Sequence, residues 1–80
     1  MIFRMYMTLE EVLRKLGELI KRKELRGDLL VTEATVVHEN DLEMTEQFAP
    51  GTVVLECADS VNQNVYQVWV NPDRVSERLN

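Results

Sequence analysis

A capped amphipathic helix near the start of the chain constrains the fold more than any other feature. Thr8 and Glu11 have the spacing of a capping box, in which each side chain satisfies the backbone N–H of the other residue. The helix is predicted to run from about Leu9 to Leu25, with Gly27 as a left-handed stop. Its apolar residues recur at three- and four-residue steps and form one stripe: Leu9, Val12, Leu13, Leu16, Leu19 and Ile20. The rest of the chain must supply a layer that covers this stripe.

Three runs rich in β-branched and aromatic residues can form that layer. Leu29–His38 is the first, and its imperfect alternation indicates either a central strand or a bulge between two halves. Thr52–Ala58 alternates well, with Val53, Leu55 and Cys57 expected inward, and Val65–Val70 is the third run. The polar stretch Asp59–Asn64 between the last two reads as a hairpin turn.

Both ends of the chain leave alternatives open. Ile2–Tyr6 is interpreted as an edge strand or a tail. Asn71-Pro72-Asp73 is typical of a helix start, so Asp73–Leu79 is predicted to be a short C-terminal helix. With 80 residues the chain is one domain, 1–80, because a second core would not fit. The expected fold class is α+β: one amphipathic helix packed on a three- to four-stranded, mainly antiparallel sheet, plus the C-terminal helix.

The charges are segregated along the chain, although the net charge is −5. Residues 1–27 carry a net +3, whereas residues 28–73 contain no Lys or Arg. The acidic residues of that second stretch are Asp28, Glu33, Glu39, Asp41, Glu43, Glu46, Glu56, Asp59 and Asp73. Segregation of this kind has two interpretations: a charged partner surface, or charges that only face solvent and keep the chain in solution.

Catalytic and metal-binding chemistry find little support in the residue patterns. The acidic run from Glu39 lacks the Gly and Glu that a calcium loop needs at its sixth and twelfth positions. One His and one Cys are too few for a zinc site. Cys57 and His38 could only form an isolated nucleophile pair, and Cys57 is expected to be a buried strand thiol. We therefore expect no enzyme activity, no metal and no cofactor, with a weak enzyme using Cys57 or His38 as the remotest alternative.

Protein binding is the function that the sequence favours. The long acidic connection Glu39–Gly51 carries Leu42, Met44 and Phe48 as anchors for a segment that is exposed elsewhere. Its carboxylates would steer a partner with a basic surface, and an exposed aromatic side chain would anchor the contact. The predicted partner-binding residues are Glu39, Asp41, Glu43, Glu46 and Trp69, with Glu56 and Asp59 extending the anionic surface.

A second hypothesis uses the basic end of the helix. In an oligomeric protein that binds or sequesters a nucleotide, phosphates would be held by Lys21, Arg22, Lys23 and Arg26. Direct nucleic-acid binding is not expected, because the chain is acidic overall. A small domain of this kind gains stability by self-association, so a homodimer is a further expectation.

The segment Met7-Thr8-Leu9-Glu10-Glu11-Val12-Leu13, followed by a helix, a strand and a hairpin, resembles the opening of small bacteriophage and prophage proteins. The resemblance covers about the first third of the chain by motif, and the rest only by layout. It implies a non-catalytic protein that binds and inhibits a host factor, as anti-CRISPR and other anti-defence proteins do. No functional residue is carried over from it. A single cysteine and no apolar run of membrane-spanning length indicate the cytoplasm, that of the host if the protein is phage-encoded.

Overall fold

The helix α1 spans Leu9–Lys21 and begins with the predicted capping box. The structure, a computed structural model, describes residues 6–71 and 75–79. The Thr8 hydroxyl accepts a hydrogen bond from the Glu11 N–H at 3.1 Å, and the Glu11 carboxylate accepts one from the Thr8 N–H at 3.3 Å. The start of the helix is therefore confirmed together with its cap.

The helix ends one turn earlier than expected, and Lys23 rather than Gly27 is its left-handed residue. Lys23 has φ 61°, its N–H bonds to the carbonyl of Ile20, and the Glu24 N–H bonds to the carbonyl of Leu19. These two bonds form a Schellman motif, which satisfies the last helical carbonyls. The prediction of a helix to Leu25 was wrong because the apolar residue there follows the turn and re-enters the core.

A glycine at position 23 should stabilise this turn. A side chain in the left-handed region crowds its own backbone, so Lys23→Gly should raise the free energy of unfolding by about 0.5–1 kcal/mol. Urea denaturation of both proteins measures the change, with Lys21→Gly inside α1 as the destabilising control. Equal destabilisation by both substitutions would contradict the assignment of the helix end.

Within the described residues, the sheet has four antiparallel strands in chain order: β1 Leu30–Val36, β2 Val53–Ala58, β3 Val65–Val70 and β4 Val75–Leu79. The predicted C-terminal helix is replaced by β4, whose backbone pairs with β3. A spacing of four between Val75 and Leu79 fits a strand as well as a helix, and the edge of β3 offers main-chain partners. The strand or tail expected at Ile2–Tyr6 lies, apart from Tyr6, outside the described residues.

A bulge at Thr32 explains the imperfect alternation of β1. Val31 lies opposite Cys57, but the next pair is Glu33 with Glu56, so Thr32 is the extra residue. The bulge returns Ala34 to the face that Val31 occupies. The bulge alternative is therefore confirmed, and among the strands of the described residues β1 lies at the edge of the sheet.

The two faces of the sheet are covered by different parts of the chain. On one face, the buried cluster of Leu25, Cys57 and Val68 packs with Leu16 and Leu19 of α1. The other face is covered by the connection between β1 and β2, which contains the short helix α2, Leu42–Thr45. Val54, which was expected to face outward, is consequently buried.

The connection between β1 and β2 is held in place at its ends and in its middle. Val37 and Thr52 are both buried, and the Val37 N–H donates to the Thr52 carbonyl at 2.9 Å. Phe48 packs edge-on against Trp69, with the ring centres 5.2 Å apart. Leu42 is 78 % exposed, so the expectation that it anchors the connection was wrong.

Candidate functional site

The predicted acidic residues lie on and around α2. Glu39, Asp41, Glu43 and Glu46 are all exposed. Asp41 also has a structural role, because it is the N-cap of α2 and its carboxylate accepts a hydrogen bond from the Met44 N–H at 3.1 Å. The connection therefore presents several carboxylates on a segment that is locally ordered.

Beneath α2 the structure forms a cleft of about 240 Å³, which we call the acidic cleft. Side chains of the sheet and of the connection line it together: Glu33, Thr35, Met44, Gln47, Phe48, Val54, Glu56 and Gln67. It combines two carboxylates with the apolar surfaces of a methionine, a phenylalanine and a valine. The exposed acidic residues predicted for binding do not line the cleft. Glu43 is nevertheless the neighbour in α2 of Met44, which does line it.

Glu33 and Glu56 are directly opposite each other in the β1–β2 ladder. Side chains at such positions project from the same face with Cβ atoms about 4.5–5.5 Å apart. Like charges so placed destabilise a sheet, and a positively charged group between them would remove the repulsion. This pair makes the lining of the cleft negative at the β1–β2 ladder.

Sequence reasoning placed Glu56 in the anionic surface but missed Glu33. The alternation of the run Leu29–His38 is broken at the bulge, so its register with the second strand is not determined by hydrophobic pattern alone. The available signal was one acidic residue in each of two strands that otherwise carry no charge.

Trp69 lies beside the acidic cleft and is half-buried. Its indole N–H donates to the Gln67 side-chain oxygen at 2.9 Å, and its ring meets Phe48. This position makes Trp69 a support for the connection between β1 and β2, and its direct contact with a partner stays a prediction.

Asp59 does not belong to the anionic surface. It is only 3 % exposed, its carboxylate accepts hydrogen bonds from the N–H groups of Val61 at 2.8 Å and Asn62 at 3.4 Å, and it forms an ion pair with Arg26. These bonds lower the pKa of Asp59, the bond from Val61 most and the one from Arg26 next. Asp59 fixes the hairpin turn and ties it to the segment after α1.

The basic end of the helix is partly neutralised by carboxylates. Arg22 lies 3.1 Å from Glu24, and Arg26 pairs with Asp28 at 2.8 Å as well as with Asp59. The hydrogen bond from Arg26 lowers the pKa of Asp28, and the two aspartates raise the pKa of Arg26. Lys21 and Lys23 are exposed. A phosphate would have to compete with these carboxylates for the two arginines.

His38 and Cys57 do not meet. His38 is exposed, and its Nδ1 lies 3.5 Å from the Tyr6 hydroxyl. Cys57 is buried at the other end of the ladder, opposite Val31, whereas Val37 beside His38 bonds to Thr52. Cys57 is five positions along the strand from Thr52, and five steps of an extended strand span about 17 Å. The expectation of a buried thiol is confirmed, and the Cys57–His38 pair was wrong.

Two features are absent from the described part of the chain, residues 6–71 and 75–79. It holds no group of three or more His, Cys, Asp or Glu side chains that could bind a metal ion. None of its helices combines the length and the apolar character needed to cross a bilayer.

Comparison of the chain with protein-family models, with curated proteins and with solved structures finds no match.

Proposed function

We propose that the protein is a non-enzymatic protein-binding module whose acidic cleft takes a basic side chain of its partner. The observation that carries the proposal is the pairing of Glu33 with Glu56 across β1 and β2. A guanidinium group offers a planar fork of N–H donors that can bond to both carboxylates. Two carboxylates that lie opposite each other would then hold a cation more firmly than one carboxylate alone.

The apolar part of the cleft fits the same guest. Met44, Phe48 and Val54 lie along the lining that Glu33 and Glu56 share. Arginine and lysine bury their methylene stems on apolar surface while the charged group finds its partners. A sulfur-bearing side chain such as that of Met44 adapts its shape to the stem.

The exposed acids of the connection extend the negative field beyond the cleft. Glu39, Glu43 and Glu46 add charge where a partner would approach, while Asp41 caps α2. Such a field accelerates the association of a basic protein and makes the rate depend on salt. Proteins that handle nucleic acids carry basic surfaces, so a host nucleic-acid-handling or defence protein is the partner class we propose, with inhibition by occupation of that surface.

The proposal is tested with a fluorescein-labelled hexa-arginine peptide as the probe. Fluorescence anisotropy at about 50 mM salt should give a dissociation constant that Glu33→Gln/Glu56→Gln raises by about tenfold or more. The matched control Glu18→Gln/Glu24→Gln removes two exposed charges far from the cleft lining and should change it less than about threefold. Equal losses in the two double variants would show that only net charge matters and would contradict the proposal.

The nucleotide-binding alternative is separated by the opposite substitution. Lys21→Gln/Lys23→Gln should leave peptide binding unchanged or stronger, since it removes exposed positive charge. The opposite result has two parts. The wild-type protein would bind ATP and Lys21→Gln/Lys23→Gln would not, while Glu33→Gln/Glu56→Gln would still bind both ATP and the hexa-arginine peptide. That result would assign function to the basic end of the helix.

A further inference from the structure

The apolar stripe of α1 is only partly covered. Leu16 and Leu19 pack against the core, but no residue of α1 is fully buried. At the edge of the stripe, Leu9 is 74 % exposed, Leu13 60 % and Ile20 41 %. A helix in a small soluble domain seldom leaves three large aliphatic side chains on one line in contact with water.

An open groove runs beside this edge, between α1 and β1. Leu16 and Ile20 line its helix side, Leu29 and Val31 its strand side, and Leu55 its floor. Val31 and Val36 of β1 lie on the face of the sheet that α1 packs against, but both are exposed. The uncovered stripe and the groove are therefore one apolar surface that shares Ile20.

Gly17 lies next to this surface on the helix. It is four residues from Leu13 and three from Ile20, so the three positions are neighbours on the helix surface. A Cβ atom at Gly17 would have no neighbour within 4 Å, so packing within the chain does not demand glycine there. Glycine inside a helix lowers helix stability relative to alanine. A close approach by a second helix supplies the missing reason.

The charges flanking the stripe are complementary under a twofold axis. Glu10 and Lys21 are eleven residues apart, which is about three helical turns, so they lie on the same side of α1 beside Gly17. A second α1 running antiparallel, with the twofold axis between Lys15 and Leu16, places Lys21 of the partner subunit beside Glu10, and symmetry repeats the pair. A parallel arrangement would instead bring like charges together.

We propose that the protein forms a twofold-symmetric dimer in which the α1 helices pack antiparallel along Leu9, Leu13 and Ile20, cross beside Leu16 within half a turn of Gly17, and cover each other's groove. Together with Val31 and Val36, the three helix side chains expose roughly 350 Å² of apolar surface. Apolar atoms make up a little over half of a typical interface, so each copy would bury about 600–700 Å². The total of about 1,200–1,400 Å² lies within the range of specific interfaces.

Sedimentation equilibrium of the full chain between about 5 and 300 μM tests the dimer. The wild-type protein should show twice the monomer mass, and Leu13→Glu should raise the dissociation constant about 100-fold or more. The matched control is Leu42→Glu, which places the same charge at a 78 % exposed leucine on α2 and should leave the dimer intact. Circular dichroism confirms that both variants keep the fold. A monomeric wild-type protein, or a dimer indifferent to Leu13→Glu, would overturn the proposal.

A charge exchange tests the antiparallel arrangement. Glu10→Lys and Lys21→Glu should each weaken the dimer about three- to tenfold, because each variant places like charges together at both symmetry-related pairs. The combined variant Glu10→Lys/Lys21→Glu restores the opposite charges and should return the dissociation constant to within about twofold of the wild-type value. Losses that add up in the combined variant would refute the arrangement. These outcomes are independent of the acidic cleft, whose lining shares no residue with this surface.

Discussion

Replacing Leu25 by alanine should lower the free energy of unfolding by about 2–4 kcal/mol. The Leu25 side chain is buried in the cluster with Cys57 and Val68, between α1 and the sheet. Truncation removes its apolar burial and leaves a cavity that the short segment after the Schellman motif can fill only in part. A domain of this size is stable by about 5–10 kcal/mol, so this one substitution removes a large fraction of the total.

Urea denaturation followed by circular dichroism measures this loss. Leu42→Ala is the control with the same chemistry, and because Leu42 is exposed its effect should stay within about 0.5 kcal/mol. If the two substitutions destabilise the protein equally, Leu25 does not belong to the core.

Replacing Asp59 by alanine should lower the melting temperature by about 10 °C at pH 7. The substitution leaves the N–H groups of Val61 and Asn62 without their acceptor and removes one of the two carboxylates that hold Arg26. Asp59→Asn keeps an oxygen for the turn but loses the charge, so its loss should be about half as large. Asp28→Asn is the control: it removes the exposed partner of Arg26 and should shift the melting temperature by only a few degrees.

The pH dependence follows from the same carboxylate. The pKa of Asp59 in the folded protein lies below its ordinary value of 3.8, because the turn N–H groups and Arg26 favour the charged form. The unfolded chain therefore takes up the proton first as the pH falls. The stabilisation is complete above about pH 4 and disappears as the pH drops through the folded pKa. Thermal melts from pH 6 to pH 2 should show a steeper decline for the wild-type protein than for Asp59→Asn, and parallel declines would contradict this role.

The elements that sequence reasoning predicted correctly are those set by local chemistry. The capping box of Thr8 and Glu11 fixes the start of α1 without help from the rest of the chain. The polar run between β2 and β3 forms the expected hairpin turn, with the Asp59 N–H bonded to the Asn64 carbonyl. The period-two alternation of Val65–Val70 puts Tyr66 and Val68 on one face, and in the structure both lie in the cluster with Cys57 and Leu55.

The elements that sequence reasoning missed depend on contacts between distant segments of the chain. The chain leaves α1 at Lys23, where the gain from burying Leu25 outweighs the usual preference for glycine. At the C-terminus, the free edge of β3 decides between helix and strand, and an isolated five-residue segment does not contain that information. The acidic cleft requires the bulge register that brings Glu33 opposite Glu56. The connection itself was visible in the sequence as a stretch with four acidic and no basic residues, but the face of the sheet that it covers was not.

Residue-resolved NMR measures directly whether the acidic cleft binds a basic side chain. Hexa-arginine peptide is titrated into ¹⁵N-labelled protein, and the backbone amide signals are followed at about 50 and 300 mM salt. Saturable shifts are expected to concentrate at Glu33, Glu56, Met44 and Gln67, with weaker binding at high salt and little response in Glu33→Gln/Glu56→Gln. Shifts confined to the exposed acids Glu39, Glu43 and Glu46, or unchanged in the double variant, would contradict the proposal.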